Sequence, residues 1–385
     1  MENNNSVAFI AKIKSISPIE GAEKIELATI EGWTSVIQKG IHNIGDLVLC
    51  ITTDAIIPED LAKTWKVDTY LRKGSRVRTV KLRGVYSECI LIPSFDITHN
   101  GFKGQSPNLK HPEEGDDLME KLGIFKYEPP VRKERLPDGK KIRYSSNPNF
   151  HIYYKFPNFK NVPNIFTSDD EVEVTRKIHG TNARYGIVKK NKLSLFDKIR
   201  KFFGNKWIEY EYVYGSHNVE KGSDSQGFYS TDVWKTVADK YNLKKILWNY
   251  VKDNYNTEEL GSGFIIYGEI YGPGIQGDNY TYGKTELNIA FFDAELNNTY
   301  LNCVQFINNV EYLMLLPTVK SYGKFKFDLN KIKQIMSENS KIPFTNVPEE
   351  GLVVKCITGD RHKIAKFINP EYLIFSEKNN IPDSH

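Results

Sequence analysis

A proline-dense stretch divides this chain. Between residues 126 and 165 lie Glu128-Pro129-Pro130, Leu136-Pro137-Asp138-Gly139, Asn147-Pro148 and Phe156-Pro157. Proline fixes its own φ, donates no backbone hydrogen bond and drives the residue before it towards extended conformations. Long helices and central strands do not run through such a stretch. The chain is therefore expected to form two bodies, residues 1–125 and 166–385, joined by a basic, Pro-rich linker at 126–165. Its 385 residues are too many for one ordinary domain and comfortable for two.

The N-terminal body reads as β-rich. Short β-prone runs recur at Val7–Ile13, Leu47–Thr52, Val77–Leu82 and Cys89–Pro93, punctuated by turn signals at Glu20-Gly21 and Asn100-Gly101. That pattern suits a small barrel or sandwich. The C-terminal body reads as α+β. Val233, Trp234, Val237, Tyr241, Ile246, Leu247 and Tyr250 recur near helical spacing, which predicts one amphipathic helix over Thr231–Asp253, capped by Thr231 or Asp232. A second helix is expected over Leu329–Ser337, with strands elsewhere.

Composition excludes several classes. Hydrophobic residues make up 40% and charged residues 26%, an ordinary globular balance. No apolar run approaches the roughly 18–20 residues of a membrane span, and the N-terminus has no basic region followed by an apolar stretch. Cys50, Cys89, Cys303 and Cys356 are widely spaced and form no Cys-x-x-Cys pair, which argues against a zinc site or disulfide framework. An intracellular (cytoplasmic) protein without a membrane partner is expected, and a monomer. The net charge of +4 permits a nucleic-acid partner without demanding one. The positive charge is clustered at Arg132, Lys133, Arg135, Lys140, Lys141 and Arg143, and again at Lys189, Lys190, Lys192, Lys198, Arg200 and Lys201. Leu193, Leu195, Phe196, Ile199, Phe202 and Phe203, interspersed with the second cluster, make residues 189–207 a candidate short amphipathic element.

Five segments carry candidate chemistry. In Glu171–Lys177, strand alternation puts Val172 and Val174 on one face and Glu171, Glu173, Thr175 and Lys177 on the other. The strand can thus anchor in a core while Lys177 points into a polar pocket. Gly180 follows, where a glycine allows a turn and close backbone approach. In Tyr267-Gly268-Glu269-Ile270-Tyr271-Gly272, a carboxylate at the end of an apolar strand could bind a ribose hydroxyl or a metal-bound water. Ile289-Ala290-Phe291-Phe292-Asp293 offers two rings that alternation sends to opposite faces, one to a core and one free to stack on a purine. Glu350 precedes an apolar strand that ends near Lys355. Lys363 and Lys366 repel each other if buried together without an anion, which a triphosphate would relieve.

In order and spacing this series resembles the nucleotidyltransferase motifs of the covalent ligase and capping-enzyme superfamily. Lys177-Ile178-His179-Gly180-Thr181-Asn182 is similar to motif I in its RNA-ligase form, Gly215-Ser216-His217-Asn218 to Ia, and Tyr267–Gly272 to III. Ala290–Asp293 is similar to IIIa, Glu350–Lys355 to IV and Lys363–Lys366 to V. The resemblance covers roughly residues 150–375. Upstream, Lys81–Pro93 is similar to the OB-fold module of phenylalanyl-tRNA-synthetase type, and Leu122–Pro130 to the junction in RNA ligases with an N-terminal OB domain, the Deinococcus-type group. Nineteen residues follow Lys366, so the C-terminal OB domain of DNA ligases and capping enzymes is not expected.

The resemblance implies an OB-type β-barrel followed by an ATP-grasp-like ligase domain of antiparallel sheets with helices. It implies an ATP-dependent RNA ligase that seals 3′-OH/5′-phosphate ends, with Mg²⁺ or Mn²⁺, on RNA and most naturally a nicked duplex. Lys177 would attack the α-phosphorus of ATP, AMP would pass from the lysine to a 5′-phosphate, and a 3′-hydroxyl would displace it. Free lysine, with a pKa of about 10.4, is protonated at neutral pH, so Lys177 needs nearby positive charge to become a nucleophile. The resemblance assigns Glu350 and Glu269 to the metal, or Glu269 to the ribose. Lys355 with Lys363 or Lys366 would hold phosphate oxygens, Phe292 would stack on adenine, and Asn182 and Ser216 would meet the ribose or the 5′-phosphate. Lys363 and Lys366 stand one residue further apart than the motif V pair usually does, so which of them meets phosphate is open. Arg72, Lys73, Arg76, Arg78 and Lys81 are candidates for polynucleotide contact in the OB module. Two other readings remain: a DNA ligase or RNA-capping guanylyltransferase, and a non-catalytic RNA-binding protein with a decayed ligase domain.

Overall fold

A computed structural model describes residues 6–71, 75–93, 112–127, 147–204, 206–217, 220–221, 232–275, 280–358, 363–379 and 381. Residue contacts divide the chain into two units, Met1–Pro130 with Pro157–Phe166, and Val131–Phe156 with Thr167–His385. Among the described residues no helix is long and apolar enough to cross a membrane.

The first unit is built on strands β1 (Ala8–Lys12), β2 (Ser15–Pro18), β3 (Ile25–Ile30), β4 (Trp33–Gln38) and β5 (Leu47–Thr52). They are followed by β6 (Ala55–Ile56), β7 (Val80–Leu82), β8 (Val85–Ser87), β9 (Cys89–Pro93) and β10 (Phe125–Lys126). Two antiparallel three-stranded sheets, β1-β5-β9 and β2-β3-β4, carry the core. Alternation in β5 explains its unbroken apolar run. Leu49 and Ile51 pack with Ile10, Ile57, Leu61 and Leu118 on one face, while Val48 and Cys50 pack with Ile13, Ile30 and Trp33 on the other. The expected strand over Val77–Leu82 is regular only from Val80. Val77 instead exchanges backbone hydrogen bonds with Asp54 and Ala55. Segment 157–166 is fastened to this unit: Lys160 ion-pairs with Glu88, and a side chain on Gly32 would stand 2.8 Å from the Lys160 Cα.

The second unit contains two antiparallel sheets. Strands β11 (Glu171–Lys177), β18 (Ser321–Lys326), β19 (Gly351–Cys356) and β20 (Ile364–Ile368) form one, in the order β18-β11-β19-β20. Strands β12 (Thr181–Lys189), β13 (Tyr210–Gly215), β14 (Glu220–Lys221), β15 (Gly263–Tyr271), β16 (Asn288–Leu296) and β17 (Thr299–Tyr300) form the other, in the order β14-β13-β12-β15-β16-β17. One face of the six-stranded sheet, with Ala183, Tyr185, Ile187, Phe264, Ile266 and Phe291, is covered by helical side chains including Trp234, Val237, Leu247 and Val251. The opposite face is polar and aromatic, and the site is built there.

The single helix expected over Thr231–Asp253 is two. Helix Val233–Lys240 is capped by Asp232, whose side chain accepts from the Lys235 amide, and helix Leu243–Asn254 follows after Asn242, which sits at φ +51°. Asparagine tolerates that left-handed conformation, which breaks the helix while the apolar side chains of both pieces stay buried. Thr231 lies outside the described residues. The second expected helix is present, over Leu329–Glu338.

Candidate active site

Strand register gathers the site. In the four-stranded sheet Lys177 pairs with Gly351, Thr175 with Val353 and Glu173 with Lys355, while Val353 also pairs with Lys366. Paired residues point to the same face, so Lys177, Lys355 and Lys366 share one face, as do Val172 and Val174 on the other. Lys363 precedes β20 and goes elsewhere. Its ammonium lies 3.0 Å from each carboxylate oxygen of Asp170, at the entry to β11.

Lys177 Nζ donates to Glu350 Oε1 at 2.5 Å; the lysine side chain is 17% exposed and the carboxylate fully buried. Gly351, next to Glu350, holds φ +151° with the Phe367 carbonyl oxygen 2.1 Å from where a Cβ would be, so only glycine lets β19 start there. Gly180 answers a similar constraint. A Cβ on it would lie 2.2 Å from the Ile270 carbonyl oxygen, because the β11–β12 connection crosses directly over β15. The close approach expected of Gly180 is thus to the protein's own backbone.

Glu269 stands opposite Asn182 and Ala290 in the six-stranded sheet. Burial pushes its carboxyl up to about 8; the Lys177 charge opposes that shift and the Glu350 charge adds to it. Asn182 accepts from the Trp234 indole through its backbone oxygen, and its side-chain Oδ1 is buried with no partner among the described residues. Between Tyr267 and Gly268 the pairing with β16 slips by one residue. That bulge sends Phe292 and Asp293 both to the site face, whereas Phe291 packs into the helix-covered core. The sequence-level split of Phe291 from Phe292 matches this arrangement. Lys355 Nζ ion-pairs with Asp293 at 2.8 Å, and Asp293 also accepts from the Tyr153 hydroxyl at 2.9 Å. Phe292 meets the Tyr153 ring edge-on, with centroids 5.1 Å apart. Lys366 Nζ lies 5.8 Å from the Phe156 ring centre.

Ser216 contributes through its backbone: its carbonyl accepts from Arg184 Nε at 2.9 Å. Arg184 was not singled out in the sequence, yet it is buried on the site face beside Tyr267, with its guanidinium 4.0 Å from the Phe150 ring centre. Its signal was available, since an arginine alternating with Ala183 and Tyr185 in an apolar strand must face something polar. Burial pulls its pKa down to about 10. His179 is buried too. Its Nδ1 is 2.9 Å from the Tyr372 hydroxyl, its backbone amide donates to Tyr282, and burial holds the imidazole down to about 4, hence neutral. Its Nε2 has no partner among the described residues.

In the first unit, Arg76 is occupied structurally: it ion-pairs with Asp54 and lies 3.8 Å from the Tyr127 ring centre. Arg78 is half-buried, and Lys81 is exposed with its ammonium 5.0 Å from the Tyr86 ring centre. Arg72, Lys73, the basic cluster from Arg132 to Arg143, the Asn100-Gly101 turn, Asn218 and Gln276 lie outside the described residues.

A family model for RNA ligases matches residues 170–368, more than half of the chain and all of the strands just described that surround Lys177. The chain belongs to the RNA ligase family. A second model, of an OB-fold domain, matches residues 7–94. The ligase reading of the motif series and the N-terminal OB assignment therefore both stand, and the fold is an OB domain followed by an α+β ligase domain. Solved structures of the Naegleria gruberi RNA ligase share this ligase's fold. A variant with AMP and Mn matches at TM-score 0.68 and 23% identity over 97% of this chain and 99% of that one. A variant with ATP and Mn matches at 0.68 and 23% over 97% and 100%, and the protein with PPi at 0.66 and 23% over 97% and 99%. Among curated proteins compared by sequence, none matches.

Proposed function

We propose that this RNA ligase uses ATP to seal 3′-OH/5′-phosphate ends, most naturally nicks in duplex RNA, through a lysyl-AMP intermediate on Lys177. The observation that carries the reading is that Lys177, Lys355 and Lys366 share one face of the four-stranded sheet, with Glu350 paired to Lys177, while the six-stranded sheet brings Glu269 near the Lys177 charge and Phe292 beside Asp293, the partner of Lys355. The neighbouring fold that crystallises with ATP, AMP, PPi and Mn supports it.

In this reading Lys177 attacks the α-phosphorus and pyrophosphate leaves. Lys366 shares the face of the nucleophile and is the motif V lysine that meets phosphate, while Lys363 braces the start of β11 through Asp170. Lys355 is held by Asp293 until phosphate draws it away. Phe292 packs against one face of adenine. The ribose falls to Glu269 or Asn182, whose buried Oδ1 awaits a donor. Ser216 positions Arg184 and lies within reach of the 5′-phosphate.

The buried Glu350 carboxylate and the half-buried Glu269 carboxyl, which a bound cation would deprotonate, also suit a divalent cation, with phosphate oxygens and water completing its shell. Glu350 and Glu269 would hold Mg²⁺ or Mn²⁺, which would neutralise phosphate charge and compete with Lys177 for Glu350. Freed from its carboxylate among cations, the amine can act as a nucleophile.

The test is covalent labelling. Purified protein is mixed with α-phosphate-labelled ATP and Mg²⁺ or Mn²⁺, then denatured. Label is expected on wild type and not on Lys177→Ala; equal labelling of both sinks the assignment. Labelling by GTP in place of ATP would favour a capping activity, and sealing only of nicks with a DNA 3′-OH end would favour a DNA ligase.

A further inference from the structure

The segment between β12 and β13 carries an exposed surface outside the candidate active site. Residues Lys189–Lys206 hold seven lysines and arginines and one acid, Asp197, against a net +4 for the whole chain. Within the segment, Leu195–Phe202 is a helix. At about 100° per residue, Phe202, Leu195, Ile199, Phe203 and Phe196 fall in one arc of about 120°. All five are exposed: 87%, 77%, 55%, 80% and 78% respectively.

The inversion has a visible cause. Asp197 and Lys201 lie opposite the apolar arc, and both are tied to the body of the sheet. Asp197 pairs with Lys190 at 3.2 Å and caps the helix with Ser194, and Lys201 pairs with Glu209 at 2.7 Å. Lys190 directly follows β12 and Glu209 directly precedes β13. The helix is thus fastened by its polar side, which turns its apolar side to solvent. Lys198 and Arg200 flank the apolar arc, one on each border.

We propose that this helix seats on an anionic lipid surface. The residues are segregated in bands: aliphatic Leu195 and Ile199 with phenylalanines in the arc, cations along both borders. That order fits a layered medium, hydrocarbon beneath and phosphate headgroups beside it, with the long cationic stems reaching outward. It fits single-stranded RNA less well, because base stacking wants open aromatic faces interleaved with cations. Here Phe202 and Phe203 pack edge to face on each other, with centroids 5.8 Å apart at 81°. Strand β12 starts near the nucleophile and ends at Lys189, so its nine residues of extended chain, roughly 26 Å end to end, separate the helix from the candidate active site. Docking would leave the cleft open. The binding proposed is peripheral and involves no membrane span.

The experiment is co-sedimentation of the full chain with vesicles of phosphatidylcholine alone or mixed with phosphatidylserine. Wild type is expected to partition onto the mixed vesicles only. Phe196→Ser with Phe202→Ser should lower that partitioning about tenfold or more, and so should Lys198→Glu with Arg200→Glu. Thermal melting should not change, since these side chains are exposed. Wild type that stays in solution with both vesicles overturns the proposal, as does partitioning that neither double variant alters. RNA binding and sedimentation velocity are measured on the same proteins. If the variants keep vesicle binding but lose RNA affinity, or convert a dimer to a monomer, the face belongs to RNA or to a second copy instead.

Discussion

Lys363 and Lys366 are two residues of one type, three positions apart, in opposite situations. Lys366 stands across from Val353 on the face that carries Lys177, whereas Lys363 grips both oxygens of Asp170. Lys366→Ala is expected to lower self-labelling with ATP by about a hundredfold or more, the scale of losing one charge-stabilising contact in a transition state. Lys363→Ala should cost no more than about 1 kcal/mol of stability, since its pair is a third exposed, and leave labelling nearly intact. Equal losses would reverse the assignment. Glu269 gives a pH signature. Its folded pKa, about 8, lies above its ordinary 4.5, so the folded state binds the proton more tightly. The stability this contributes is complete below about pH 4.5 and is lost as pH rises through about 8. Glu269→Gln removes the titration. The variant should therefore gain on wild type in urea melts as pH rises, by on the order of 5 kcal/mol at alkaline pH. A constant difference across pH would refute this.

At the scale of elements, two local irregularities shape the site. The bulge opposite Tyr267 and Gly268 turns two consecutive residues, Phe292 and Asp293, towards the cleft. The glycine after His179 lets the β11–β12 connection lie against β15. Gly180→Ala is expected to cost about 2–3 kcal/mol and to shift Lys177, because the obstructing atom is backbone oxygen that cannot swing aside. Urea unfolding and ATP labelling should both register it. Asn242, between the two helices, predicts the opposite kind of result. Asn242→Gly should be neutral or slightly stabilising, and Asn242→Val should cost about 1–2 kcal/mol, since a β-branched residue resists φ +51°. If valine is tolerated, the helix break has another cause.

At the scale of the molecule, the Pro-rich stretch supplies side chains to both units. Tyr153 reaches Asp293 in the ligase unit, while Phe159 and Phe166 are buried in the OB unit with rings 6.5 Å apart. A fragment starting at Val131 keeps Phe150, Tyr153 and Phe156, and one starting at Thr167 loses them. The longer fragment is expected to label with ATP. The shorter one should melt several degrees lower, because Asp293 loses the Tyr153 hydroxyl that shares its Oδ2 with Lys355. Equal melting temperatures would show that segment 147–156 is dispensable.

The chain by itself carried the OB-then-ligase reading and named the candidate site residues. Those depend on local rules: alternation put Lys177 opposite Val172 and Val174, proline density marked the junction, and motif spacing named Glu269, Phe292, Glu350 and Lys355. It also contained Arg184 and the exposed arc of Leu195–Phe203 in plain periodicity, with nothing local to say what either one faces. Only the tertiary structure separated Lys363 from Lys366: Lys363 stands just before β20 and pairs with Asp170, while Lys366 pairs with Val353 within it, a register no local pattern reveals. Only it tied Lys177 to Glu350, 173 positions away, and Lys355 to Asp293. Such pairings depend on which strands lie side by side, and that is settled by burying whole faces at once. The outward turn of the helix at Leu195 is likewise tertiary: two ion pairs to residues at the ends of neighbouring strands hold its polar side.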